Sequence, residues 1–188
     1  MTDTNDAVPL DGSRIAVLVA EGVEDLEYWV TVMRLREAGA QVDSVGMTLD
    51  RVPGKNGLKA RADLLAADAD PAAYDGLVIP GGWAPDKLRR YEAITGLVRE
   101  VHTAGKPIGI ICHGGLVAIS AGIIESGHPA TGSLGIKDDL VNAGARWVDE
   151  PAFRDGSIVW GRVVDDIPAF ERELVALLAE HKSPARAG

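Results

Sequence analysis

Cys112 is the only cysteine in the chain, and it stands in Lys106-Pro107-Ile108-Gly109-Ile110-Ile111-Cys112-His113-Gly114-Gly115-Leu116. A short apolar run ends at the thiol, and a glycine pair then opens a helix. A residue on such a strand-to-helix turn is pushed out at the sheet edge, the geometry of a nucleophile elbow. The helix start behind it offers free N–H groups and partial positive charge. Both favour thiolate over thiol, so the pKa of Cys112 is expected to fall. His113 supplies a possible base or acid, although adjacent side chains on a tight turn often diverge. A buried core cysteine is the competing reading of a lone thiol; the strand–Cys–His–Gly–Gly context favours a reactive one.

Other chemistry-bearing residues fall on two further segments. Glu27 lies one turn into the first helix. It can be read as a helix-dipole carboxylate facing water, which the local sequence favours. It also borders an apolar stripe, Leu26, Trp29, Val30 and Met33, and a carboxyl group packed there beside Cys112 would be partly desolvated, with a raised pKa. A protonated Glu27 could then donate to the thiolate. Glu24 presents the same choice. Pro80-Gly81-Gly82 offers backbone N–H groups free of side chains; with the amides after Cys112, at His113 and Gly114, it could form an oxyanion hole, or be a plain tight turn. Asp86 could orient His113 or cap the next short helix. The four histidines, His102, His113, His128 and His181, have no paired metal-ligand spacing. Neither a GxGxxG after a strand nor a P-loop is present.

The elements that must position these residues alternate strand and helix. Arg14 to Ala20, Gln41 to Met47, Gly76 to Pro80 and Pro107 to Ile111 read as strands. Most are apolar throughout, as strands buried on both faces of a parallel sheet are. Helices are expected over Glu24 to Ala38, Lys87 to Tyr91, Ala93 to Ala104, Leu116 to Glu125, Ile136 to Ala143 and Asp165 to His181. The last has Ile167, Phe170, Leu174, Leu177 and Leu178 as its core face and Asp165 or Asp166 as a cap. Extended chain is expected near Leu58 to Leu65. Arg146 to Asp149 and Ser157 to Arg162 read as a strand pair turned at Asp155-Gly156. This is a doubly wound α/β sandwich with a mostly parallel sheet. In such a sheet ligands bind beyond the carboxyl ends of the strands, where Glu21 to Glu27, Pro80 to Asp86 and Cys112 to Gly115 should converge.

At 188 residues, 46% hydrophobic and 25% charged, the composition is that of one globular domain. Residues 1–13 read as a polar, frayed tail and 14–183 as a single domain. A net charge of −9 argues against nucleic-acid or anionic-membrane partners. One cysteine asks for no oxidising compartment, the first residues lack signal-peptide character, and no apolar run reaches the length of a membrane span. A cytoplasmic location is expected.

Taken together, Val23-Glu24-Asp25-Leu26-Glu27, Pro80-Gly81-Gly82-Trp83-Ala84-Pro85-Asp86, Ile111-Cys112-His113-Gly114, Gly135-Ile136-Lys137-Asp138-Asp139 and Asn142-Ala143-Gly144-Ala145 resemble the PfpI-type branch of the ThiJ/PfpI superfamily. The resemblance runs from Arg14 to about Leu178 and implies a flavodoxin-like sandwich of three layers. By that resemblance Cys112 is the nucleophile, Glu27 hydrogen-bonds its sulfur, and Gly82 and His113 lend oxyanion-hole amides. It also implies that Asp86 reaches the histidine of a neighbouring subunit, and so a homodimer or larger assembly. Members are described as intracellular peptidases, glutathione-independent glyoxalases, deglycases and oxidative-stress proteins, so the fold does not fix the reaction. Two departures stand out. The family's proline after Cys-His-Gly is Gly115 here, and its Thr-Ser-Tyr-Pro stretch is Thr131-Gly132-Ser133-Leu134, which removes an aromatic wall at Ser133. Trp83 offers a replacement surface.

Three functions are compatible with this. One is a cofactor-free enzyme in which Cys112 adds to an α-oxoaldehyde, or to a glycation adduct, while Glu27 or His113 moves protons. Another is a peptidase or amidase in which His113, oriented by Asp86 of a partner subunit, protonates the leaving amine. A third is a redox-responsive thiol that stops at the sulfinic stage of oxidation. The glutamine amidotransferases share the elbow but need a late His-x-Glu set, and the late histidine here is His181, near the chain end.

Overall fold

The computed structural model describes residues 8–182. In chain order its elements are β1 (Arg14–Leu18), α1 (Asp25–Glu37), β2 (Gln41–Gly46), β3 (Arg51–Pro53), β4 (Lys59–Arg61), β5 (Leu64–Leu65), β6 (Gly76–Ile79), α2 (Ala84–Leu88), α3 (Glu92–Thr103), β7 (Ile108–Ile111), α4 (Gly115–Ala121), β8 (Pro129–Ala130), α5 (Lys137–Asn142), β9 (Arg146–Trp147), β10 (Ala152–Asp155), β11 (Ile158–Gly161) and α6 (Ile167–Lys182). Seven strands form one sheet in the order β10-β11-β7-β6-β1-β2-β5. Every pairing in it is parallel except β10 with β11. Helices cover both faces, giving the flavodoxin-like sandwich.

The central strands are apolar because they have no wet face. Ile15, Ala16, Val17 and Leu18 of β1 and Leu77, Val78 and Ile79 of β6 are fully buried. The chain leaves β1 toward β2 and later returns to β6 on the other side of β1. The switch point therefore lies between β1 and β6, and the crevice beyond their carboxyl ends is where such sheets hold ligands. Helix α3 buries Ile94, Leu97, Val98 and Val101, an i, i+3, i+4, i+7 stripe.

Helix α1 departs from the expected pattern. Leu26 and Met33 are exposed, and the helix instead buries Tyr28, Val32 and Leu35 together with Asp25, Glu27 and Thr31. Its inward face is half polar, and so its apolar periodicity misleads. Polar groups are tolerated there because most find partners: the Tyr28 hydroxyl meets Ser44 Oγ at 2.7 Å, and Thr31 Oγ1 donates to Glu171 on α6.

Further boundaries differ: the short helix expected over Lys87 to Tyr91 is α2 at Ala84–Leu88, and α4 ends at Ala121 rather than Glu125. The packed body begins before Arg14: Leu10 is fully buried and its N–H donates to Ala38 O at 2.8 Å. Of the expected tail, residues 1–7 lie outside the described residues, as does the expected domain end at 183. The Asp155-Gly156 turn joins β10 to β11, whereas β9 pairs with β8 in a separate two-stranded sheet. Asp166 does not act as a free cap; it accepts from Arg162 Nε at 2.9 Å.

Candidate functional site

The loops after β1, β6 and β7 meet above the carboxyl ends of their strands, stitched together by backbone. Val23 and Gly82 form an antiparallel bridge, Trp83 N–H donates to Gly22 O at 2.7 Å, and Glu24 N–H donates to Gly81 O at 3.1 Å. The glycines permit this approach. A Cβ on Gly82, where φ is +75°, would lie 2.4 Å from Glu24 N and Gly22 O; one on Gly81 would lie 2.7 Å from Cys112 Cβ and from a Glu27 oxygen. The three expected segments thus do converge.

Cys112 directly follows β7 with φ at +59°, the one non-glycine residue with positive φ among the described residues. An L-residue pays roughly 1–2 kcal/mol for this conformation, so the surrounding packing holds the elbow in place. A short 3₁₀ turn over Cys112–Gly114 leads into α4. Gly114 sits under Ile79 O, with no space for a side chain. The side chains of Cys112 and His113 do not diverge: Sγ lies 3.3 Å from His113 Nδ1. Ser133 N–H donates to Cys112 O at 3.2 Å, which fixes the loop after β8 against the elbow.

Glu27 lies beneath the thiol and is fully buried, so it does not face water as a helix-dipole group. Its Oε2 accepts from Gly81 N–H at 2.7 Å. Oε1 is buried with no oxygen or nitrogen partner among the described residues, and the Cys112 thiol is the group with which the carboxyl interacts. Burial pushes Glu27 up to about 7, against the pull of Gly81 N–H and of the thiol.

The expected depression of the Cys112 pKa is not found. Burial, and then the nearby Glu27 carboxylate, push the thiol up to about 12, while the backbone N–H groups of Gly82 and His113 pull it down less strongly. The elbow amides do point at sulfur; desolvation outweighs them. His113 is held below its ordinary pKa by burial and by the Lys55 charge, so its imidazole is neutral at pH 7.

A pocket of about 270 Å³ opens over Cys112, lined by Glu24, Lys55, Gly82, Trp83, Cys112, His113, Ser133, Val163, Val164 and Asp165. Glu24 is buried, yet its carboxylate reaches Lys55 Nζ at 3.2 Å and accepts from Asn56 Nδ2 at 3.0 Å. Lys55 has no local signature in Pro53-Gly54-Lys55-Asn56-Gly57 beyond a turn. It is placed by Asp25, whose oxygens accept from the N–H groups of Asn56 at 2.6 Å and Leu58 at 2.7 Å. Asp165, expected as a cap, lines the pocket instead. Trp83 stands at the mouth, 63% exposed. Asp86 is not brought to the pocket within this chain; it pairs with Arg90 one turn on. Among the described residues no three His, Cys, Asp or Glu side chains are grouped to hold a metal ion, and no helix is long and apolar enough to cross a membrane.

Comparison with known proteins gives the geometry a context. Residues 13–177 match the DJ-1/PfpI family. The deglycase PfpI of Pyrococcus furiosus is 38% identical over 165 residues, 88% of this chain and 99% of the relative. A putative cysteine protease of Bacillus subtilis, YraA, is 37% identical over 166 residues, 88% and 98% of the two chains. Among solved structures, a two-domain protein of Anabaena variabilis with DJ-1/ThiJ/PfpI-like and ferritin-like domains superimposes with a TM-score of 0.86 at 32% identity. The match covers 91% of this chain and 49% of that one, about half of its length. DJ-1 of Schizosaccharomyces pombe shares the fold at a TM-score of 0.79 and 20% identity, over 93% and 99% of the two chains. With an elbow cysteine over a buried glutamate, and with similarity along nearly the whole chain, this protein belongs to the DJ-1/PfpI family.

Proposed function

We propose that the protein is a cofactor-free, cysteine-dependent enzyme that acts on α-oxoaldehydes or their early adducts, as a glyoxalase or deglycase does. The observation that carries this reading is the buried Cys112–Glu27 pair at the floor of a small pocket. With the thiol at about 12 and the carboxyl at about 7, the thiol stays protonated at neutral pH while the carboxyl is about half ionised, so the one-proton form of the pair is well populated. Sγ attacks the aldehyde carbon as Glu27 takes the thiol proton. The new oxyanion is met by the Gly82 and His113 N–H groups, and the same proton is returned to it, completing a hemithioacetal. Neutral His113, which lines the pocket as Glu27 does not, removes the proton from the former aldehyde carbon and delivers it to the adjacent carbonyl carbon through an enediol, while the hydroxyl proton of the hemithioacetal passes to the neighbouring oxygen. The resulting thioester is hydrolysed by water, releasing the 2-hydroxy acid and regenerating the thiol. The net reaction adds one water to the oxoaldehyde, without oxidant or metal.

Amide or peptide cleavage is the second reading, supported by the protease name carried by the Bacillus relative. It requires a firmly oriented imidazolium to protonate a leaving amine. Within one chain no carboxylate is hydrogen-bonded to His113 among the described residues, and Asp86, which would have to reach it from a partner subunit, is engaged by Arg90. The aldehyde reading is therefore preferred. Lactate formation from methylglyoxal by the wild type and by Cys112→Ala tests it. Lactate from the wild type alone is the expected result; equal traces from both proteins overturn it.

A further inference from the structure

The charges around the Cys112 pocket are unevenly matched. Glu24 is satisfied twice, by Lys55 Nζ at 3.2 Å and Asn56 Nδ2 at 3.0 Å. His113 and Cys112 are uncharged at neutral pH. The Asp165 carboxylate, which lines the same pocket, makes no hydrogen bond or ion pair among the described residues, while its neighbour Asp166 is held by Arg162. Arg162, the cation closest in sequence, is also committed to Asp149 at 2.7 Å. The pocket thus carries one unmatched charge, and it is negative.

Trp83 lines the same pocket with an indole that is 63% exposed. A large aromatic left in water and an unmatched carboxylate lining one pocket make a receptor for a cation: the ring face attracts positive charge, and the carboxylate supplies the counter-ion. Valines 163 and 164 line the wall beside Asp165, which suits the carbon stem of an organic cation rather than a bare ion. The net charge of −9 raises the local concentration of cations further.

We infer that Trp83 and Asp165 form a specificity element that selects oxoaldehyde-type substrates bearing a cationic group, of the guanidinium or quaternary-ammonium kind, with the reactive carbonyl at Cys112 and the cation at the pocket mouth. This rests on the reading of Cys112 as nucleophile and adds a substrate class to it. Each contact is solvent-exposed, so together they give roughly a tenfold preference.

Three para-substituted phenylglyoxals test it: the neutral tert-butyl compound, its isosteric trimethylammonium cation and the carboxylate, with formation of the corresponding mandelates followed. The wild type is expected to favour the cationic over the neutral form in kcat/KM by about tenfold, mostly through KM, and the preference should shrink as salt rises. In Asp165→Asn and in Trp83→Leu the cationic-to-neutral ratio should fall toward one, and Asp165→Glu should retain it. A ratio unchanged in Asp165→Asn, or a wild-type preference for the carboxylate form, overturns the inference and in the second case points to Lys55. Calorimetric binding of the trimethylammonium compound and of its tert-butyl isostere to Cys112→Ala separates the two claims. Selective cation binding without turnover by the wild type upholds the receptor and sinks the catalytic reading; turnover with no cation selectivity does the reverse.

Discussion

Two carboxyl groups and one thiol carry proton affinities far from their ordinary values, and each makes a measurable demand. With Glu27 at about 7, the Cys112–Glu27 pair drops from two protons to one as pH rises through that value. Only the one-proton form has a carboxylate to take the thiol proton. Turnover of methylglyoxal is therefore expected to rise through a midpoint near pH 7 and level off above it, with His113 already neutral. In Glu27→Gln that midpoint should vanish and kcat/KM should fall by about 100-fold, read in a pH–rate profile. The resting thiol, protonated at neutral pH, should also react slowly with a general alkylating reagent; alkylation as fast as that of a free peptide cysteine would contradict the raised pKa. The elbow was legible in the sequence because strand, cysteine and glycines are contiguous there. The direction of the Cys112 shift was not, because it depends on burial created by residues far away in the chain. Lys55 was hidden for the same reason: its place is fixed by Asp25, thirty residues earlier, and no local pattern reports it.

At the scale of elements, the polar inner face of α1 has consequences for stability. Glu171 on α6 is buried against Thr31, and burial raises its pKa to about 7. A carboxyl whose folded pKa lies above its unfolded value stabilises the fold below the unfolded value, near 4.5, and that contribution is lost as pH rises through about 7. The wild type should thus lose on the order of 2–3 kcal/mol relative to Glu171→Gln between about pH 4.5 and 8, measured by urea unfolding at each pH. Backbone conformation gives a second contrast. Gly82 and Gly122 both have positive φ, but a Cβ at Gly122 meets nothing within 4 Å, whereas at Gly82 it meets backbone at 2.4 Å. Gly122→Ala should cost about 1–2 kcal/mol. Gly82→Ala should cost more than about 3 kcal/mol, because the two loops must part. The central strands and most helices were readable from apolar runs and the 3.6-residue period, whereas the order of the strands in the sheet was not. Helix α1 was the exception: Leu26, Trp29, Val30 and Met33 form a periodic stripe, yet the helix turns Tyr28, Val32 and its polar residues inward. A buried polar face follows the same period as an exposed one, and only its tertiary partners tell them apart.

For the molecule as a whole, the resemblance leads us to expect that Asp86 of one copy approaches His113 of another. Here Asp86 is bound to Arg90, so that contact requires the pair to open. Sedimentation velocity at micromolar concentration should find a dimer or larger assembly, and Asp86→Asn should slow turnover without dissociating it; a monomeric wild type would remove the expectation. Within one chain, the pocket is assembled by a contact remote from the chemistry. The two oxygens of Asp25 hold the backbone of the turn that bears Lys55, and Gly54 has no room for a side chain because that carboxylate lies 2.6–2.7 Å from its would-be Cβ. Two residues further along α1 comes Glu27. Helix and hairpin therefore work as a unit: a chimera that transplants residues 51–61 of this chain into a relative without a carboxylate at the position of Asp25 would carry the lysine but not its address.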